Sequence, residues 1–168
     1  NPMLYVKALE ELRCFDTTDL TEEDIKRHSM YLSERWREDT KVLKLSHDEW
    51  LESLQMKIII EPMEVNQMKR IVQLINKTNQ MNLRTRRMTA EELHEWCSEA
   101  NRHFWTFSVS DKFGDSGLTA LLSLENRGEI AEIIDFVVSC RVFKRGVEET
   151  ILAKAVVLCR SLGVRQVF

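Results

Sequence analysis

Cys140 stands between an apolar run, Ile130–Val138, and a second patterned segment that starts at Val147. Arg141, Lys144 and Arg145 follow it closely, and Gly146 closes the stretch. If a strand ends here and a helix begins, a thiol lies beside free backbone N–H groups and three cations. Those influences depress a thiol pKa and favour the thiolate, which is the nucleophile. The same amides and cations favour a phosphate, and a glycine lets a ligand approach the backbone. Ser139–Glu148 is therefore a candidate for thiol chemistry and for anion binding. It reads equally as a strand-to-helix loop with exposed cations, with Cys140 a small apolar residue ending a central strand. The local pattern does not separate these readings.

A second polar segment runs from Asn76 to Arg87. It holds the carboxamides Asn76, Asn79, Gln80 and Asn82 and the cations Lys77, Arg84, Arg86 and Arg87. Such a set can hydrogen-bond an amide-bearing ligand and pair with phosphates. By composition alone it is also a solvated loop between helices. Asp135 lies inside the apolar run Ile133–Val138, so it must be paired or face a cleft. His94, Cys97 and His103 are too few for a zinc site, which needs about four ligands; no metal site is expected. Phe113–Gly117 has turn composition. There is no Gly-x-x-x-x-Gly-Lys phosphate loop, no Gly-x-Ser-x-Gly elbow and no Asp-x-Asp pair.

These residues need elements to position them. Leu4, Ala8, Leu9 and Leu12 recur at helical spacing, with Asn1 and Pro2 at a helix start. Asp16–Asp19 breaks that helix. Thr21 caps a long charged one, whose charges read as a solvated face with side-chain pairs. Ser46 with Glu49, and Thr89 with Glu92, are capping boxes that open two further helices. Ile58–Ile60 before Pro62 reads as a strand. Val65, Met68, Ile71, Val72 and Ile75 return to helical spacing. Phe104–Val109, Leu118–Leu124 and Ile130–Val138 are strand-like runs separated by turns, which predicts an antiparallel meander. A helix over 147–162, capped by Gly163, and a strand from Val164 complete the order. The whole predicts an α+β fold: an α/β/α layered arrangement with a mixed, mainly antiparallel sheet, preceded by a helical segment.

Composition bounds the function. The chain has 168 residues, 43% hydrophobic and 30% charged, which fits a globular domain and excludes a low-complexity chain. Twenty-four basic and 27 acidic residues leave a net charge of -3, which argues against general nucleic-acid binding. No apolar run approaches the roughly 18–20 residues of a membrane span. Cys14, Cys97, Cys140 and Cys159 show no paired spacing, which predicts reduced thiols and a cytoplasmic location. Cys14, Cys97 and Cys159 fall in helical patterns and read as packing residues. All five glycines lie after residue 113, so tight turns and any ligand-cradling loop are expected there.

Taken together, three segments resemble the C-terminal region of FkbH-like proteins. Lys77–Thr89, KTNQMNLRTRRMT, is similar to that family's Lys-Thr-Asn-Gln-Phe-Asn-Leu-Thr-Thr-Arg-Arg-Tyr-Thr stretch. Phe113–Leu118 resembles Phe-Gly-Asp-Asn-Gly-Leu, and Ser139–Glu148 resembles Ser-Cys-Arg-Val-Leu-Gly-Arg-Gly-Val-Glu. The lead-in FDTTDLTEEDIKR matches as well, so the resemblance spans nearly the whole chain.

The resemblance implies a haloacid dehalogenase-like phosphatase domain fused to a Gcn5-related N-acetyltransferase-like domain. Residues 1–55 would be a helical junction after a missing N-terminal phosphatase domain. Residues 56–168 would be an acetyltransferase-like domain, incomplete at its C-terminus. In that fold an Arg/Gln-x-x-Gly-x-Gly/Ala loop holds the pyrophosphate of an acyl-CoA; here it reads Arg141 to Gly146, with Lys144 at the first glycine. That departure weighs against ordinary acetyl-CoA binding. The resemblance further implies transfer of a glyceryl group from a phosphorylated glycerate donor to the phosphopantetheine thiol of an acyl carrier protein, in polyketide biosynthesis. Cys140 would hold the glyceryl group, and Asp135 would position a water or hydroxyl. Arg141, Lys144, Arg145 and Gly146 would bind phosphate. Asn79, Gln80, Asn82, Arg86 and Arg87 would line the cleft or meet the carrier. Two alternatives stay open: a non-catalytic carrier-docking domain, and an N-acetyltransferase that uses coenzyme A.

Overall fold

The computed structural model describes residues 4–13, 22–43 and 46–168. The expectations for Asn1, Pro2, Cys14, Asp16–Asp19 and Thr21 lie outside these residues. Three helices come first: α1 Tyr5–Leu12, α2 Glu22–Val42 and α3 His47–Leu54. Strand β1 spans Lys57–Pro62, and a 3-10 turn leads into α4, Met68–Lys77. Then come β2 Met81–Asn82, α5 Ala90–Cys97, β3 Arg102–Asp111, β4 Gly114–Arg127 and β5 Ile130–Val138. Helix α6, Val147–Ser161, and strand β6, Gln166–Val167, follow.

Both expected capping boxes form. The Ser46 hydroxyl accepts from the Glu49 amide while the Glu49 carboxylate accepts from the Ser46 amide. Thr89 and Glu92 do the same for α5. Each reciprocal pair satisfies two backbone donors that a helix start leaves open.

The sheet runs in the order β1-β3-β4-β5-β2, all antiparallel, and β6 lies parallel to β5. The mixed, mainly antiparallel sheet and the meander β3–β4–β5 are as the sequence predicts. Helix α6 packs Val147, Ile151, Ala155 and Cys159 on one face, against Phe107, Leu122, Leu124 and Phe136. On the other face Ile71, Leu74, Ile75 and Leu93 of α4 and α5 meet Phe104, Leu121 and Val137. This is why β5 is apolar at most positions, with Asp135 the one buried acid in it: helices cover both of its faces. Each such fully buried Leu or Ile side chain contributes about 1.5–3 kcal/mol.

Two features differ from the sequence reading. First, Met81 and Asn82 are a strand rather than a solvated loop; they pair with Val138 and Val137. Asn82 is buried, and its amide donates to the carbonyls of Ile75 and Thr78 at 3.0 and 3.2 Å. Its oxygen accepts from the Thr85 amide at 2.9 Å. One side chain thus closes the carbonyl end of α4 and shapes the turn beyond it. Second, the charges of α2 are not all solvated. Arg37 is 4% exposed and its Nε and a terminal nitrogen grip the Asp111 carboxylate at 2.6 and 2.9 Å. Ser33 adds a 3.0 Å bond to the Phe113 carbonyl, and the Trp50 indole donates to the Arg37 carbonyl. Helix α2 is therefore fastened to the β3–β4 turn. A one-dimensional pattern of charges cannot reveal which charge finds an acid 74 positions away.

Candidate functional site

Strand β5 ends where the Ser139 amide donates to the Thr119 carbonyl at 2.8 Å. The chain then makes a short 3-10 turn over Cys140–Val142. Val142 is fully buried and anchors the turn, which leaves Cys140 exposed. Cys140 and Arg141 open into a cleft of about 800 Å³. That volume is in the range of small-molecule sites. Helix α2 supplies one wall, through Ser33, Glu34 and Arg37. Helix α4 and its exit supply another, through Arg70, Lys77, Asn79 and Gln80, and Phe113–Ser116 closes an end.

The cations after Cys140 diverge. Arg141 stays at the cleft, its Nε 3.2 Å from the Ser139 hydroxyl and a terminal nitrogen 2.9 Å from the Met30 sulfur. Lys144 is exposed, with φ 58. Arg145 is 3% exposed; it donates to Glu34 and lies 3.8 Å from Asp111. Its guanidinium thus faces the α2–β3 junction. Gly146, at φ 76, is the N-cap of α6, and its carbonyl accepts from the Thr150 amide. The Glu148 carboxylate accepts from the Lys144 amide at 3.1 Å. The loop therefore meets one of its own backbone donors with its own acid.

The polar segment after α4 also divides. Asn79 and Gln80 line the cleft. Arg87 donates to the Ile75 carbonyl at 2.8 Å and to the Asn79 side chain at 2.7 Å. Asn82 is folded under α4, as described. Arg86 lies elsewhere: it forms a two-pronged pair with Asp135, whose other contact is the Ser123 hydroxyl. Asp135 and Ser123 are fully buried. The Trp96 ring stacks with both Arg86 and Arg102, whose charges sit 5.0 and 5.3 Å from its centre. Neither Arg86 nor Asp135 lines the cleft. The structure brings Cys140, Arg141, Asn79 and Gln80 together, and holds Arg86, Asp135, Asn82 and Arg145 in internal networks.

Four charged cleft residues escape the sequence reading: Glu34, Arg37, Arg70 and Asp115. Arg37 and Glu34 are indistinguishable from their charged neighbours on α2. Arg70 looks like the polar face of an amphipathic helix, and Asp115 like turn chemistry.

Electrostatics rank the groups. Burial alone would raise the Asp111 carboxyl, but the Arg37 guanidinium, the Phe113 amide and Arg145 more than offset it, so its pKa is lowered. Burial pushes the Cys97 thiol up to about 11, and burial also raises Cys159. Both are poor nucleophiles as a result. Among the described residues no group of three His, Cys, Asp or Glu could hold a metal ion, and no helix is long and apolar enough to cross a membrane.

With this geometry in hand, comparison with solved structures places the fold. An acetyltransferase from Trypanosoma brucei superposes with a TM-score of 0.52 at 13% identity, over 67% of this chain and 81% of that one. Glucosamine-6-phosphate N-acetyltransferase from Arabidopsis thaliana gives 0.51 at 17%, over 67% and 80%. A Mycobacterium tuberculosis protein solved with CoA and NLQ gives 0.52 at 17%, over 65% and 61%. The fold is that of the GNAT-family acetyltransferases. No protein-family profile and no curated protein matches the chain.

Proposed function

We propose that the chain is an acyltransferase domain that carries its acyl group on Cys140. The donor is a phosphorylated glycerate, and the acceptor is the phosphopantetheine thiol of an acyl carrier protein. The donor's carboxyl is activated as an acyl phosphate. The Cys140 thiolate attacks the acyl carbon and the carbon–sulfur bond forms; the carbon–oxygen bond to the phosphate breaks, and inorganic phosphate leaves with the bonding pair. The pantetheine sulfur then attacks the thioester, and Cys140 leaves as the thiolate. Arg141, Lys144 and the Gly146 region serve the anionic parts of the ligands, with Asn79 and Gln80 along the cleft. Arg145, Arg86, Asp135 and Asn82 act as positioning residues, because each is engaged inside the fold. Arg87 braces Asn79 from outside.

One observation carries this reading: the only exposed thiol among the described cysteines opens into a cation-bearing cleft, on a fold used for acyl transfer. The test is mass spectrometry of the intact protein after incubation with phosphorylated glycerate. A glyceryl adduct on the Cys140 peptide supports the reading, and undiminished carrier loading by Cys140→Ala overturns it.

A second reading, an acetyl-CoA-dependent N-acetyltransferase, draws on the fold and on the neighbour solved with CoA. Against it, the loop Arg141–Gly146 commits its Lys144 amide to Glu148 and its Arg145 to Glu34, leaving less to offer a pyrophosphate. Calorimetric titration with acetyl-CoA separates the two; tight binding would favour the second.

A further inference from the structure

The cleft that holds Cys140 is lined by four cationic residues, Arg37, Arg70, Lys77 and Arg141, and by two carboxylates, Glu34 and Asp115. The protein as a whole carries a net charge of -3. A local positive excess within an acidic protein concentrates anions at that point, the more so between low-dielectric walls.

The four cations are not equivalent. Arg37 is held by Asp111 and Glu34. Arg70 donates twice to the Leu118 carbonyl and once to Gln73, and Arg141 contacts Ser139 and Met30. Lys77 is different: it is exposed, and it makes no ion pair, side-chain hydrogen bond or ring contact with any described residue. A lysine in the last turn of a helix ordinarily answers the helix's carbonyl end. In α4 that task is already filled, because Asn82 and Arg87 donate to the Ile75 carbonyl and Asn82 also serves Thr78. The Lys77 charge is left over, within the cleft that Cys140 shares. Next to it stand Thr78, Asn79 and Gln80, short polar groups able to add hydrogen bonds to an anion.

We infer that Lys77 selects the ligand of this cleft, holding a small oxyanion group, phosphate or carboxylate, within reach of the Cys140 thiol. The inference rests on Cys140 as the reacting group, and it adds a charge on α4 to those of the loop after Cys140.

The test compares alkylation of Cys140 by iodoacetate and by iodoacetamide, followed on the Cys140 peptide by mass spectrometry. The two reagents do the same chemistry and differ mainly in one negative charge. Lys77→Gln lowers the iodoacetate-to-iodoacetamide rate ratio by about threefold or more, and Lys77→Glu lowers it further. Lys69→Gln, an exposed change on the same helix outside the cleft, leaves the ratio as in the wild type. Inorganic phosphate or acetate slows alkylation of the wild type and not of Lys77→Gln; the anion that protects identifies the oxyanion chemistry. A ratio unchanged in both Lys77 variants, or protection by neither anion, overturns the inference. Alkylation requires no acyl transfer. A Lys77-dependent ratio without any acyl adduct on Cys140 would sink the acyltransferase reading and leave this one standing.

Discussion

The Arg37 guanidinium and the Asp111 carboxylate meet in parallel, at 2.6 and 2.9 Å, with side chains 5% and 1% exposed. This pair joins a helix of the N-terminal segment to the turn between β3 and β4. Glu34 extends it, accepting from Arg37 at 3.2 Å and also from Arg145, three residues beyond the Cys140 turn. Helix α2 is thus part of the cleft's frame.

Asp111→Asn leaves Arg37 buried with the half-exposed Glu34 as its remaining acid among the described residues. Breaking a buried pair from one side costs about 3–5 kcal/mol when the charge left behind has no other partner. With Glu34 retained, urea unfolding should read a loss near or below the lower end of that range. The Asp111 carboxyl is lowered on folding, so its contribution is complete above its unfolded pKa of about 3.9 and fades as pH falls through the lower folded value. The stability gap between wild type and Asp111→Asn is therefore flat from pH 7 to about pH 5 and narrows only in stronger acid. A gap that narrows near neutral pH would contradict the assignment.

The thiols should react in a fixed order. Cys97 at about 11 is only about one part in a thousand thiolate at pH 8, and Cys159 is buried. Peptide-resolved labelling with iodoacetamide should modify Cys140 well before either. Earlier labelling of Cys97 would show that α5 opens readily.

Arg86 and Asp135 should couple far more strongly than an exposed pair. A double-mutant cycle with Arg86→Met and Asp135→Asn is expected to give a coupling of about 3 kcal/mol. The same cycle on Arg84 and Glu132, with side chains 49% and 26% exposed, should give roughly 0–1 kcal/mol. Equal couplings would mean that Asp135 does not depend on Arg86.

The loop after Cys140 contains two left-handed residues of opposite suitability. Gly146 at φ 76 has open space where a Cβ would stand, so Gly146→Ala costs strain alone, about 1–2 kcal/mol. Lys144 at φ 58 already bears such strain, and Lys144→Gly should change thermal stability by less than about 1 kcal/mol. Thermal melts of both variants check the pair.

Much of this architecture is legible in the residues. The capping boxes at Ser46 and Thr89, the run Ile130–Val138 and the turns around Gly114 and Gly128 announce their elements, because local chemistry decides them. An acid inside an apolar strand demands a partner, and Asp135 has one in Arg86. The cleft is less legible. Cys140, Asn79 and Gln80 stand out by type, but Arg70, Arg37 and Glu34 join them only through tertiary packing. Strand β2 is two residues long, too short for any periodicity, and its existence depends on the edge of β5 that it meets.

That edge has a consequence for self-association. An uncovered strand offers a row of backbone donors and acceptors to any passing chain. On β5 the row is split between two short neighbours: β6 at Ile130 and Ala131, and β2 at Val137 and Val138. Leu83 and Phe168 extend the cover to Phe136 and Ile133. At the opposite border, β1 carries Lys57 and Glu61 and ends at Pro62, residue types that discourage a new strand from adding there. A sheet guarded at both borders gives fibril-like stacking little to start from, even though its central strands are among the most apolar stretches of the chain.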